Sequence, residues 1–347
     1  MRFKVIVVSV FLLIGGYSFF WFQMADQAEQ TTLEWIADSE RRLGGVKIFV
    51  GDITVSGFPY KIGVEASSLN AVIPAGKLGS EPISITVPEI AVVYQPWKPN
   101  HGIIVADYLD AVVGNISNPD VNVTFDKVKS SVILDPVSME LNNLSVVAQN
   151  ISWYRGVEAE VDETSSMEGA EFHLRRSTGV LSDQVGFDLP VNRAIYFKAQ
   201  NASIKEFAAT ILGERADEFK MEAFLHASEQ PDYTREGLSK WRDEGGTLSI
   251  RSFEYGTAKT GLTLNGDVTL DENLKPLGAF DANIANIEGL MRTLAENENI
   301  PQIARQLLLG QAQSDTSSEE VPVSISLQNG LLYFGPIMMM ELPPVIE

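Results

Sequence analysis

The stretch that most restricts this chain is its beginning. MRFK is followed by VIVVSVFLLIGGYSFFWF, residues 5 to 22, with no charge inside the run. About 18 residues at ~1.5 Å rise span roughly 27 Å, enough for a bilayer core. Arg2 and Lys4 stand before the run, and Asp26 and Glu29 follow it. The positive-inside rule then puts residues 1–4 in the cytoplasm and everything after Phe22 on the other side. Phe19, Phe20, Trp21 and Phe22 are expected to form an aromatic belt at the outer interface. A cleaved signal peptide is the competing reading, with Gly16-Tyr17-Ser18 as a small-x-small site. The apolar run continues past that site through four bulky aromatics, which favours an anchor. The chain is therefore expected to cross the membrane once.

Residues 23–45 read as a stalk or packing helix. Ala25, Ala28, Leu33, Ile36 and Leu43 recur at helical spacing, and Gly44-Gly45 ends the pattern. From residue 46 to 347 the period shifts towards two. Strands are expected at Ile83–Val87, Ile90–Tyr94, Ile103–Ala106, Val121–Phe125, Val128–Leu134, Met139–Leu144 and Leu144–Ala148. Gly57-Phe58-Pro59 reads as a bulge or edge turn, because proline cannot donate to a ladder.

Two phrases repeat. Residues 178 to 207 align with 260 to 290 with one insertion, pairing Phe197 with Phe280 and Ile204 with Ile287. Each copy reads as strand, turn, returning strand and helix, within repeats spanning about 170–213 and 250–310. A helical hairpin is expected over 287–311, with an apolar stripe from Ile287 to Leu308. Val321, Val323, Ile325 and Leu327 then alternate, and Asn329-Gly330 is a hairpin-turn signal. The fold class expected is mostly β (α+β). It is a large curved antiparallel sheet built from repeated strand-turn-strand-helix units, preceded by one transmembrane helix.

Chemistry is sparse. The chain has no cysteine, so disulfides, thiolate metal sites and a cysteine nucleophile are excluded. His101, His173 and His226 are far apart and belong to no ligand motif, and no nucleotide or hydrolase motif occurs. No catalytic residue, metal site or cofactor is assigned, and a non-enzyme is expected. Beyond the anchor the chain holds 24 basic and 46 acidic residues, a surface that repels phosphate backbones and anionic headgroups and argues against nucleic-acid binding. What remains is an alternating sheet face, with Leu262, Leu264, Phe280 and Ile284 on it. Covered by helices, it is core; left open, it is an apolar groove suited to acyl chains.

The elements VSGFPYKI (Val55 to Ile62), GDVTLDENLKPLG (Gly266 to Gly278) and LQNGLLYFGP (Leu327 to Pro336) carry a resemblance. Together with the anchor they resemble an uncharacterised domain-of-unknown-function family of Gram-negative envelope proteins, number twenty-one twenty-five in that series. The repeat unit is similar, more weakly, to the carboxyl-terminal region of AsmA-like proteins. The resemblance implies an inner-membrane, single-pass protein with its carboxyl-terminal domain in the periplasm. It also implies a curved sheet with an apolar groove and a role in envelope lipid homeostasis. Leu262, Leu264, Phe280 and Ile284 are then the expected ligand-lining residues. The expected partners are the membrane through residues 5–22, phospholipid and envelope proteins. A non-catalytic interaction scaffold in envelope assembly is the alternative.

Overall fold

A computed structural model describes residues 2–75, 81–158, 163–177, 189–205, 214–231, 234–257, 261–285, 302, 305, 306 and 321–346. The chain is mostly β, its strands paired antiparallel, with one long apolar helix at its start. It divides into two compact units, Met1–Thr164 and Ser165–Glu347.

The first unit opens with helix α1, Arg2–Ala37, which runs without a break from the apolar segment into the polar one. Within it, Phe3 to Phe20 are exposed almost throughout, and the helix is long and apolar enough to cross a membrane. A short helix α2, Ser39–Arg42, follows, and Gly44-Gly45 ends it as the sequence predicts. Nine strands come next among the described residues: β1 Lys47–Val50, β2 Ile53–Ser56, β3 Ile62–Ala66, β4 Leu69–Ile73, β5 Ile83–Val87, β6 Ile90–Gln95, β7 Lys98–Asn115, β8 Asn118–Leu134 and β9 Leu141–Arg155.

Strand β7 is the trunk of this sheet. One of its edges pairs with β8, which pairs with β9. The other edge is shared: residues up to Ala106 pair with β6, and Asp110–Val113 pair with β5. The sheet therefore forks into two arms, β6–β3–β2 and β5–β4–β1. Helix α1 packs on the outer strands of both arms.

The pieces predicted at 121–125 and 128–134 are one strand, β8. The apolar residues change phase between Phe125 and Val128, and the register shifts there around Lys127, which has φ +50°. A matching irregularity at Asn150 (φ +45°) lets β9 keep pace. The break legible in the sequence is thus a bulge, which adds a residue and bends the ladder without ending it. Strand β9, read as two short strands meeting at Leu144, runs through that point without a register shift, Leu144 pairing with Val132 and Ser145 with Ser131.

The second unit is a meander. Strands β10 Ser165–Arg176, β11 Val191–Ser203, β12 Arg215–His226, β13 Thr247–Gly256, β14 Gly261–Leu270, β15 Pro276–Ala285, β16 Val321–Gln328, β17 Leu331–Phe334 and β18 Ile337–Glu341 each pair antiparallel with the next. Helix α3, Arg235–Asp243, sits between β12 and β13, capped by the Thr234 hydroxyl accepting from the Gly237 amide. Its Leu238 and Trp241 pack with Ala227, Leu270 and Leu274. Salt bridges Lys198–Glu218 and Lys220–Glu254 tie neighbouring strands on the polar face.

The second repeat copy forms the expected strand, turn and returning strand as β14 and β15. Its glycine at 266 is dictated by close approach. A Cβ there would lie 2.2 Å from the Ala279 carbonyl oxygen. In the first copy the returning strand is β11, and it pairs with β10 on one side and β12 on the other. The segment expected as its leading strand, 178–188, lies outside the described residues. So do the expected helices after each copy, except Gln302, Arg305 and Gln306, which are helical. The Asn329-Gly330 signal is realised: both residues have positive φ and join β16 to β17.

Candidate functional site

The site begins with the seat of α1 on the sheet. Beyond Phe20, α1 turns a face of Trp21, Ala25 and Ala28 onto Ile62 and Val64 of β3. Met24, Ile53, Val55 and Tyr94 pack around them. Trp21 is 4% exposed, and its indole N–H donates to the Lys61 carbonyl at 3.0 Å. It therefore does not join the aromatic belt expected of residues 19–22, which leaves Phe19, Phe20 and Phe22 exposed.

The turn that receives the helix is Gly57–Lys61, between β2 and β3. Gly57 has φ +106°, and a Cβ there would lie 2.6 Å from the Lys61 carbonyl oxygen, so only glycine fits. The Lys61 amide closes the turn onto the Gly57 carbonyl. Phe58 meets Trp21 edge-on at 5.4 Å and stacks on Phe22 at 5.8 Å. The Tyr17 hydroxyl donates to the Pro59 carbonyl.

Above this seat, α1 leaves the floor of the fork. A cavity of about 550 Å³ opens between the helix and both arms. Met24, Ala28, Thr32 and Ile36 line it from the helix, about one turn apart on one face. Ile48 and Val50 of β1 face them from one arm, and Val64, Ala66, Ile90 and Val92 of β3 and β6 from the other. Among the described residues none that lines it is charged. Gln27, Thr31, Thr32 and Tyr94 supply the polar groups. Thr32 spends its hydroxyl on the Ala28 carbonyl at 2.7 Å. Burial raises the Tyr94 hydroxyl above its ordinary pKa, so it stays a neutral phenol. The volume lies within the roughly 300–1,000 Å³ of small-molecule sites. The lining suits an uncharged, chain-like ligand. Among the described lining residues there is no carboxylate, histidine or lysine.

The opposite face of the same strands is acidic: Asp52, Glu65, Glu89 and Asp107 border a shallow cleft there. Among the described residues no group of acidic or histidine side chains is arranged to hold a metal ion.

A family model described as "Uncharacterized protein conserved in bacteria (DUF2125)" matches residues 21–343. The chain belongs to this family. The DUF2125 match begins at Trp21, the residue that seats α1 on β3, and runs through the last strand of the meander. No curated protein matches the chain.

The four residues singled out from sequence lie together in the second unit. Leu262 stands opposite Ile284, Leu264 opposite Ala282, and Phe280 opposite Gly266. Phe280 and Ile284 are buried; Leu262 and Leu264 are half-buried, and Leu262 packs beside Tyr255 and Phe253. Their face continues through Val321, Val323 and Ile325 of β16. On the other side, Phe253, Phe219 and Phe197 make edge-on ring contacts at 5.0 and 5.4 Å. None of the four lines the cavity of the first unit. That cavity is not legible locally because its walls combine α1 with two arms whose strands pair out of chain order, β3 with β6 and β1 with β4. The one available signal was α1 itself, whose apolar stripe continues to Ile36, about four turns beyond the membrane run.

Proposed function

We propose that this DUF2125 chain is a single-pass inner-membrane protein whose periplasmic β domain holds an acyl chain or similar apolar ligand. The observation that carries this reading is the uncharged cavity under α1. Its first lining residue, Met24, comes only two residues after the apolar run ends at Phe22. A lipid leaving the bilayer would meet the cavity within about one helical turn of the interface. A role in envelope lipid homeostasis follows from that position.

The apolar face of the second unit is a second proposed contact, with Leu262, Leu264, Phe280 and Ile284 as its lining. Full-length protein extracted in mild detergent should retain more phospholipid by mass spectrometry than a size-matched single-pass protein. Leu264→Asp should lower that amount while circular dichroism stays unchanged. A wild-type protein with only the lipid of the control would remove this reading and favour an interaction scaffold. Unfolding of the Leu264→Asp protein would assign its face to core.

A further inference from the structure

Three turns lie at one end of the first unit, the end where α1 enters the sheet. The register places them there. Ile62 at the start of β3 pairs with Tyr94 at the end of β6, and His101 near the start of β7 pairs with Ile133 near the end of β8. The turns are therefore Gly57–Lys61, Pro96-Trp97 and Asp135–Glu140. Each presents apolar side chains to the outside. Tyr60 is 75% exposed, Trp97 60% and Val137 91%, with Phe58 and Met139 also exposed. Exposed aromatics clustered on neighbouring turns are unusual for a surface that meets only water.

Charge sorts the same way. Residues 53–64 and 90–106 hold no carboxylate, in a chain with 46 of them, and they carry Lys61 and Lys98, both exposed. Asp135 folds into its own turn, its carboxylate accepting from the Val137 and Ser138 amides at 2.9 Å. Glu140 takes the Ser138 hydroxyl. Tyr and Trp beside lysine is the composition of a membrane interface, where amphipathic rings sit among headgroups and cations meet lipid phosphate.

Depth decides the occupant. The Gly57–Lys61 turn touches α1 at Tyr17, Trp21 and Phe22, inside the last third of the apolar run. Five residues of helix from Tyr17 to Phe22 rise about 7.5 Å. If α1 crosses the bilayer over residues 5–22, the turn that contacts Tyr17 lies level with the headgroup and upper acyl region. We infer that the turns carrying Phe58, Tyr60 and Trp97 are embedded in the outer interface of the phospholipid bilayer that α1 crosses. This rests on the membrane-crossing reading of α1 and is independent of what fills the cavity. The turns hold the seat of α1 on β3 at the lipid surface.

The chain has no cysteine, so single labels can be placed cleanly. Full-length Tyr60→Cys, Trp97→Cys, Ile116→Cys and Leu12→Cys proteins would carry a fluorophore. Each would be reconstituted in vesicles of phosphatidylethanolamine and phosphatidylglycerol containing lipid spin-labelled near the headgroup or along the chain. Ile116 lies in the turn between β7 and β8, at the opposite end of the sheet. The expected result is loss of most emission at 60 and 97 with the shallow quencher, and none at 116. Loss at 12 with the deep quencher reports insertion of α1. Quenching at 12 with 60 and 97 as unquenched as 116 would overturn the inference while leaving the anchor standing. No quenching at 12 would overturn both.

Discussion

Trp21→Ala should loosen the first unit by about 3–5 kcal/mol, the usual range for removing a buried Trp or Phe side chain. Trp21 is 4% exposed, packs on Ile62 and Val64, meets Phe58 edge-on and donates to the Lys61 carbonyl. Its loss opens a cavity where the helix, β3 and the Gly57–Lys61 turn converge. Hydrogen exchange of the Ile62–Ala66 amides should then quicken at least a hundredfold, since each ~1.4 kcal/mol is tenfold. The second unit's β14–β15 amides should be unchanged. Trp21→Phe keeps most of the burial and loses one hydrogen bond, so it should cost only about 1 kcal/mol. Unchanged exchange in Trp21→Ala would mean that α1 does not rely on this seat.

Filling the cavity should have the second large effect. Ala66 faces the helix from β3, on the same side as Ile62 and Val64. A tryptophan there would occupy the space between both arms and α1. Each methylene kept out of an apolar site forfeits ~0.8 kcal/mol. Excluding four of them would weaken acyl-chain binding by more than a hundredfold at ~1.4 kcal/mol per decade. Titration of detergent-solubilised Ala66→Trp with a fluorescent fatty acid should show that loss. Val50→Phe, a smaller plug from the other arm, should show part of it if Ala66→Trp proves poorly folded. Equal affinity in wild type and a folded plugged variant would place the ligand elsewhere.

The parts legible in the sequence are those where one local pattern acts alone. The apolar run, the helix continuing from it and the Gly44-Gly45 stop can all be read from period and charge. So can β5, β6, β14, β16 and the Asn329-Gly330 hairpin, whose alternation and turn residues agree. The long strand β8 reads as fragments because the bulge at Lys127 shifts its phase, whereas β9 continues unshifted through Leu144, where the sequence suggests two strands. Strand β12 alternates Phe219, Met221 and Ala223 against Glu218, Lys220 and Glu222, but its Lys and Glu density hid a strand. Phe197 and Phe280, matched in the two phrases, stand on β11 and β15; β15 returns along β14 of its own phrase, and β11 runs between β10 and β12. Least legible was the cavity: it exists only because β7 splits its edge between β5 and β6 and α1 bridges the fork. No window of sequence contains that arrangement. The Gly57-Phe58-Pro59 element could be read as a turn, yet its partner, the outer end of α1, lies about 40 residues away.

The central claim is that the space under α1 takes an acyl chain. It is tested most directly by photocrosslinking in membranes, using a phospholipid with a diazirine along its acyl chain, followed by peptide mapping of the full-length protein. Labelling should fall on Met24–Ile36 and on the strand residues opposite, Val64, Ala66, Ile90 and Val92, and should disappear from them in Ala66→Trp. Labelling confined to residues 3–22, the lipid-facing part of the helix, would contradict the claim.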